Sequence, residues 1–214
     1  MDAILRGEAM SEYQRMISGQ LYRASKIEKE YDPQPGRVLA QKINQTSLMD
    51  QKEIIALEKQ LFGSTGKSIY VNPPLQVDYG FNTHIGENFY ANVDCIFLDV
   101  APITIGDDVM FGPRVSLITP LHPIDAAVRV RGLEYAKPIT IGDRVWLGAG
   151  VIVNPGVSIG EGTIVGSGAV VTKDLPAHVI AVGNPARILR EISETDQEYW
   201  ELQEKDYYDT KKAD

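Results

Sequence analysis

Between Ile141 and Val171 an aliphatic residue returns at every sixth position: Ile141, Leu147, Val153, Ile159, Val165 and Val171. The residue after each is mostly small, as in Gly142, Gly148, Asn154, Gly160 and Gly166. The fourth residue beyond each aliphatic is again small or apolar: Val145, Val151, Val157, Thr163 and Ala169. An amphipathic helix needs apolar spacing near 3.6, and a half-buried strand needs a spacing of 2. A period of six predicts a coil of short flat strands joined by tight corners, with the aliphatic side chains pointing inward. The Gly or Asn is expected at the corner, where a Cβ or an ordinary φ would be strained. With three hexapeptides per turn, Ile141 stacks on Ile159, Leu147 on Val165 and Val153 on Val171, at the ~4.8 Å strand spacing of any sheet.

The same step spaces Ile85, Ala91 and Phe97, and two extra residues reset it to Ile105, Phe111 and Leu117. The phase is lost from Ile118 to Pro138 and resumes at Ile141, which predicts a loop thrown out of one corner. Long loops on a rigid scaffold are where function tends to sit. Before the coil, helical spacing appears in Leu5, Met10, Tyr13, Met16 and Ile17, in Val38, Leu39 and Ile43, and in Ile54, Ile55, Leu57 and Leu61. These predict two or three short helices with a break at Asp32-Pro33-Gln34-Pro35-Gly36. Gly63-Ser64-Thr65-Gly66 marks the join, and the coil begins near Ile69. The repeat fades after Thr172-Lys173-Asp174, Gly183-Asn184-Pro185-Ala186 reads as a turn, and 187–208 reads as helical. The expected organisation is a helical N-terminal cap segment (1–62), a coil domain (63–186), and a C-terminal helix and tail (187–214). A parallel coil has two open ends with unpaired edges, and the terminal helices are the expected covers.

Charge narrows the partners. The 214-residue chain carries a net charge of −8, which argues against nucleic acid or an anionic membrane as a partner, since both call for basic surface. Cys95 is the single cysteine. It excludes an internal disulfide, and its inward place in the repeat predicts a small buried hydrophobe rather than a reactive thiol. No basic segment followed by an apolar run opens the chain, and no stretch approaches the roughly 20 apolar residues of a membrane helix. Cytoplasmic residence is the expectation.

The repeat and its punctuation resemble the left-handed parallel β-helix acyltransferases, and within them the maltose and galactoside O-acetyltransferase group. The matching stretches are Asp78-Tyr79-Gly80-Phe81-Asn82-Thr83-His84-Ile85-Gly86, Asn88-Phe89-Tyr90-Ala91-Asn92, Leu121-His122-Pro123 and 137–148. Val170-Val171-Thr172-Lys173-Asp174, Gly183-Asn184-Pro185-Ala186-Arg187 and the N-terminal Gly19-Gln20-Leu21-Tyr22-Arg23 complete the set. The resemblance implies the left hand of the coil, three prisms packed side by side as a homotrimer with sites between neighbours, and acetyl-coenzyme A as acyl donor.

His122 is the sharpest chemical candidate. It lies in the extruded loop between Pro120 and Pro123, which stiffen the backbone. An imidazole takes up a proton near neutral pH, as a general base must, and the resemblance puts the family's catalytic base on His122. Glu134 shares the loop and is able to orient the imidazole or bind the acceptor. By resemblance Asp78, Asn92 and Asp99 are acceptor contacts, and short rigid Asp and Asn side chains suit sugar hydroxyls. The family's N-terminal acceptor-binding aspartate aligns with Ala24. Ala149 and Ser167 align with donor-contacting corners, followed by Thr172. Lys173, Arg187 and Arg190 are candidates for the nucleotide phosphates, the two arginines sharing a helix face at a spacing of three. Trp146 precedes an inward position and so points outward, as a wall for ligand or for a neighbouring subunit.

His84 and His178 are expected at the surface. Three histidines in such a coil raise a zinc site of the γ-carbonic anhydrase kind. That chemistry needs three converging ligands, and the loop supplies one, so no metal is expected. The function expected is acetyl transfer from acetyl-coenzyme A to a hydroxyl of a sugar such as maltose or glucose. The alternatives are another acceptor (a lipo-oligosaccharide, an antibiotic or serine) or a non-catalytic scaffold.

Overall fold

The computed structural model describes residues 10–211. Three helices precede the coil: α1 (Glu12–Ile17), α2 (Gln34–Gln45) and α3 (Gln51–Leu61). Ser11 caps α1: its side chain accepts from Gln14 N, and the Gln14 side chain accepts from Ser11 N. Two backbone donors that lack helical partners are thereby satisfied. Leu5 of the first helical pattern lies outside the described residues. The break at 32–36 is narrower than the sequence suggests, because α2 begins at Gln34 and takes Pro35 and Gly36 into its first turn. Proline fits there, where its missing N–H has no partner to lose. Gly36 is required for a different reason, since a Cβ at that position would collide with the Tyr79 carbonyl oxygen of the coil.

The coil starts at Ile69 as expected. Its first turn is β1 (Ile69–Val71), β2 (Leu75–Val77) and β3 (Thr83–Ile85). The second is β4 (Phe89–Ala91), β5 (Cys95–Leu98) and β6 (Ile103–Ile105). In the third, β7 (Met110–Phe111) and β8 (Ser116–Ile118) are followed by the extruded loop. That loop carries β9 (Pro120–Leu121), α4 (Ala126–Arg129) and β10 (Tyr135–Ala136), and β11 (Ile139–Ile141) closes the turn. β12 (Trp146–Leu147), β13 (Ile152–Val153) and β14 (Ser158–Ile159) form the fourth turn, and β15 (Ile164–Val165) and β16 (Val170–Val171) begin the fifth. The chain ends in β17 (Val179–Val182), β18 (Arg187–Glu191) and α5 (Glu194–Lys211).

Parallel pairing stacks these strands into three faces. The first runs β1-β4-β7-β12-β15-β17-β18, the second β16-β13-β8-β5-β2 and the third β14-β11-β6-β3. The predicted stacking holds residue for residue: Ile141 pairs with Ile159, Leu147 with Val165 and Val153 with Val171. All six side chains are buried. Cys95 is buried among them, and burial pushes its thiol up to about 11, which leaves it protonated and inert.

The corners divide two tasks that the sequence pattern assigns to one residue. The glycine after each aliphatic provides close approach: a Cβ on Gly142 would stand 2.7 Å from the Glu161 backbone nitrogen of the next turn. The left-handed backbone lies two residues further on, at Arg144 (φ 56°) and Gly150 (φ 69°).

The two ends of the coil are closed differently. Ile43, Ile54, Leu57 and Leu61 of α2 and α3 join the same core as Leu75 and Phe97, so the N-terminal helices cover the first end. The expected helix over 187–208 is not a cap. Residues 187–191 form strand β18, antiparallel to β17, and α5 starts only at Glu194 and buries no side chain. A smaller cluster of Met16, Tyr22, Tyr79, Val100, Ala101 and Ala136 fastens the α1 segment to the corner from which the loop leaves.

Candidate functional site

The extruded loop is built to hold His122. Its base is antiparallel, with Pro120 opposite Ala136 and Leu121 opposite Tyr135. The ladder ends one residue short of His122 on one strand and of Glu134 on the other. Below the pair, buried Thr119 locks the loop to the coil: its hydroxyl donates to Leu98 O at 2.6 Å and accepts from Ala101 N at 2.9 Å. Beyond His122, Asp125 caps α4 through Val128 N, and Arg129 donates to the carbonyls of Pro123 and Ile124. The imidazole itself is exposed, on a backbone braced from both sides.

Glu134 is not a free surface acid. Its Oε2 accepts from the Tyr22 hydroxyl at 2.9 Å, and the two backbones exchange hydrogen bonds, Tyr22 N to Glu134 O and Glu134 N to Tyr22 O. Burial, and then the charge of Glu134, hold the Tyr22 hydroxyl well above its ordinary pKa, so it remains a donor. Segments around His122, Glu134 and Tyr22 therefore lie side by side. Asp78 stands close enough for its charge to add to the Tyr22 shift, and it pairs with Arg37 at 2.7 Å. Ala24 sits exposed in a short 3₁₀ turn (Ala24–Lys26) on the same segment.

Asp99 requires correction. It is fully buried, with Oδ1 accepting from Tyr79 N and Oδ2 from the Thr83 hydroxyl, and Asn82 donates to its carbonyl. Desolvation raises its pKa. Its polar atoms tie its own corner to residues 79–83 of the turn before, and its carboxylate presents nothing to an acceptor.

Two of the donor candidates, Ala149 and Ser167, occupy another edge, together with the acceptor candidate Asn92. Asn92, Ala149 and Ser167 lie at corners between the first and second faces, in the second, fourth and fifth turns, joined through the Gly112 corner by a backbone ladder. Its rungs include Asn92 N to Phe111 O, Gly148 N to Val165 O and Gly168 N to Ala149 O. Asn92 Oδ1 accepts from Val93 N at 2.8 Å, the corner role that Asn often takes, while its Nδ2 has no partner among the described residues. Trp146 is 49% exposed on the first face beside this edge, as expected. Thr172 and Lys173 are exposed near the end of the coil on the edge between the second and third faces, the edge that carries Asp78, since they follow β16 and lead to Leu175, which bridges to Ile159. Lys173 and Arg187 line one groove of about 350 Å³ with Asp174, Leu175, Ala186 and Ile188.

The shared helix face of Arg187 and Arg190 does not exist, because both belong to β18. Arg190 is engaged by Asp196 through both terminal nitrogens, at 2.6 and 2.8 Å. That contact pins the start of α5 and leaves Lys173 and Arg187 as the cations open to a phosphate. His84 bonds the Ser64 hydroxyl on the third face, and His178 lies exposed in a left-handed turn. Among the described residues no group of three His, Cys, Asp or Glu side chains converges as a metal would need.

One chain thus carries two half-sites. His122, Glu134, Tyr22 and Asp78 share the edge between the second and third faces, whereas Asn92, Ala149 and Ser167 share the edge between the first and second. A full face of the prism separates them. The partnerships of Tyr22 with Glu134 and of Arg37 with Asp78 are absent from the sequence reading. The only signal for the first is the position of Tyr22 within the motif at 19–23.

Known proteins match both the coil and its cap. The bacterial transferase hexapeptide family (six repeats) matches residues 138–173, and the maltose acetyltransferase hexapeptide capping motif matches 15–66. The galactoside O-acetyltransferase of Escherichia coli (strain K12) is 41% identical over 165 residues, spanning 77% of this chain and 81% of that protein. A maltose O-acetyltransferase from Clostridium difficile 630 superposes with a TM-score of 0.84 at 45% identity, covering 87% of this chain and all of the other. A galactoside acetyltransferase in complex with coenzyme A superposes with a TM-score of 0.85 at 37% identity, covering 88% of this chain and 94% of the other. The chain belongs to the hexapeptide-repeat acetyltransferases of the maltose and galactoside O-acetyltransferase group.

Proposed function

We propose that the protein transfers the acetyl group of acetyl-coenzyme A to a hydroxyl of a sugar such as maltose or glucose, in the cytoplasm. The observation that carries this reading is the braced loop that exposes His122 and whose base strands lead to a Tyr22-anchored Glu134, with Asp78 on the same edge. The acceptor hydroxyl gives its proton to an imidazole nitrogen of His122 as its oxygen attacks the acetyl carbonyl. The new O–C bond forms, the C–S bond breaks, and the thiol leaves with a proton returned by the imidazolium. No acyl-enzyme is required.

Asp78 and Asn92 hold acceptor hydroxyls. Trp146, Ala149, Ser167 and Thr172 line the donor arm, with Lys173 and Arg187 at its phosphates. Because the two half-sites occupy different edges of one prism, the working unit is a homotrimer in which the His122 edge of one copy faces the Ser167 edge of the next. The apolar stripe of Tyr70, Tyr90, Met110, Trp146, Ile164 and Ile180 along the first face supports this assembly. The outward residues of the third face are His84, Thr104, Thr140 and Ser158, which suit solvent.

An acceptor screen tests the reading. Free thiol released from acetyl-coenzyme A is followed with glucose, maltose, serine and an aminoglycoside, with His122→Ala as control. Sugar-dependent release that vanishes in the variant is expected. Release favouring serine or the aminoglycoside would replace the acceptor class, and release that ignores His122 would remove the mechanism.

A further inference from the structure

A second polar groove adjoins the acceptor edge. It has a volume of about 470 Å³ and is lined by Arg37, Gln41, Asn44 and Gln45 of α2, and by Leu75, Gln76, Val77, Asp78 and Leu98 of the coil. This volume falls within the roughly 300–1,000 Å³ of small-molecule sites. The helix residues are spaced by four, seven and eight from Arg37, which puts them on one stripe. Gln76 and Asp78, two apart at the end of β2, point to the same side.

The side chains divide by task. Asn44 is spent on structure: its Nδ2 donates to Leu75 O and its Oδ1 accepts from Leu75 N, so it seals the helix to the strand. Arg37 and Asp78 neutralise each other at the rim. Gln41, Gln45 and Gln76 are exposed and have no side-chain hydrogen bond to any described residue. What remains is three amides of zero net charge over an apolar floor that includes Leu75, Val77 and Leu98. An amide both donates and accepts, which suits vicinal hydroxyls. A phosphate would need an unpaired cation, and the one cation in the lining is occupied.

We infer that this groove binds a second, neutral sugar unit of the acceptor, so that the preferred substrate is a disaccharide or longer glycoside. The inference rests on the proposed sugar acetylation, because Asp78 belongs both to the groove and to the acceptor edge. The unit held by Gln41, Gln45 and Gln76 is then contiguous with the one presented to His122.

Two measurements test it on the intact protein. Saturation-transfer NMR with maltose reads contact at each ring without requiring turnover. Kinetics with glucose and maltose give the ratio of their kcat/KM values. Contact at both rings is expected, with a maltose preference carried mainly by KM. Gln41→Ala and Gln76→Ala should each lower that preference about threefold to tenfold, the worth of one hydrogen bond, and weaken contact at one ring only. Saturation confined to one ring, or a maltose-to-glucose ratio unmoved in both variants, would overturn the groove. If both rings make contact yet neither sugar is acetylated, the groove stands and the proposed reaction falls. Octyl glucoside serves as a third probe: a gain over glucose equal to that of maltose would mean the groove receives an apolar aglycone instead.

Discussion

His122 and Glu58 show how differently two lone titratable groups behave. His122 is exposed and its backbone is braced, so its removal takes away a proton acceptor and little packing. His122→Ala is expected to lose roughly 10²- to 10⁴-fold in kcat, the usual worth of a general base, with an unchanged melting temperature. Glu58 on α3 is fully buried. Its Oε1 accepts from Val71 N at 3.0 Å, and its Oε2 has no partner among the described residues. Desolvation raises its pKa from 4.5 to about 8, with only the Val71 bond opposing. The folded state therefore keeps a proton that the unfolded chain has already lost. Stability from this group is complete below about pH 4.5, declines as the pH rises and is gone above about pH 8. Glu58→Gln should flatten the fall in melting temperature across that window, and an unaltered slope would show that Glu58 does not hold the proton. The period of α3 puts Glu58 on the apolar stripe, four residues after Ile54 and three before Leu61, a signal the reading of the aliphatics alone passes over. Its burial follows from where the helix lies on the coil.

At the scale of elements, the corners and the last strand make separable claims. Gly142 is needed for space and Gly150 for its left-handed backbone, since no atom lies within 4 Å of a Cβ added at Gly150. Gly142→Ala should cost about 1–3 kcal/mol of unfolding free energy through backbone collision. Gly150→Asn should cost less than about 1 kcal/mol, because Asn tolerates that conformation. Chemical denaturation of the two variants gives the comparison. The six-residue period made the coil, its register and the loop legible, because the aliphatic of each hexad and the residue four beyond it must both face inward. It could not reveal that residues 187–191 form a strand. There Ile188, Leu189 and Ile192 satisfy helical spacing locally, and the open edge of β17 decides the outcome. Arg190 is engaged rather than open for the same reason, since its partner Asp196 becomes a neighbour only once α5 starts at Glu194. Lys173→Ala and Arg187→Ala should each weaken coenzyme A binding several-fold in calorimetric titration. Arg190→Ala should change it less, and equal losses at all three positions would put Arg190 back at the phosphate.

For the whole molecule, the separation of the two half-sites has a direct test. A His122→Ala chain lacks the base, and a Ser167→Trp chain blocks the donor edge. Each should be inactive alone. Mixed, denatured and refolded together in equal amounts, they should regain roughly a quarter of the unmodified activity, the fraction of interfaces in a random closed ring that pair two intact edges. No recovery would place both edges in the service of a single chain. Sequence motifs identified most of these residues individually. They could not show which ones share an edge, because edge assignment depends on counting strands through the interrupted third turn.

The ladder of corners from Asn92 to Ser167 also works as a measuring rod. Each winding advances by one strand spacing, about 4.8 Å, so the interval between the Asn92 level and the Ser167 level comes in whole windings, and the cations follow beyond it. On the proposed placement of the donor arm, a cosubstrate spanning that interval would be selected by length. Inserting one complete eighteen-residue winding between Ala149 and Lys173 would carry the cations one rung out of reach while leaving every local contact intact. Such a protein would fold, keep its base in place, and favour a thioester with a correspondingly longer arm.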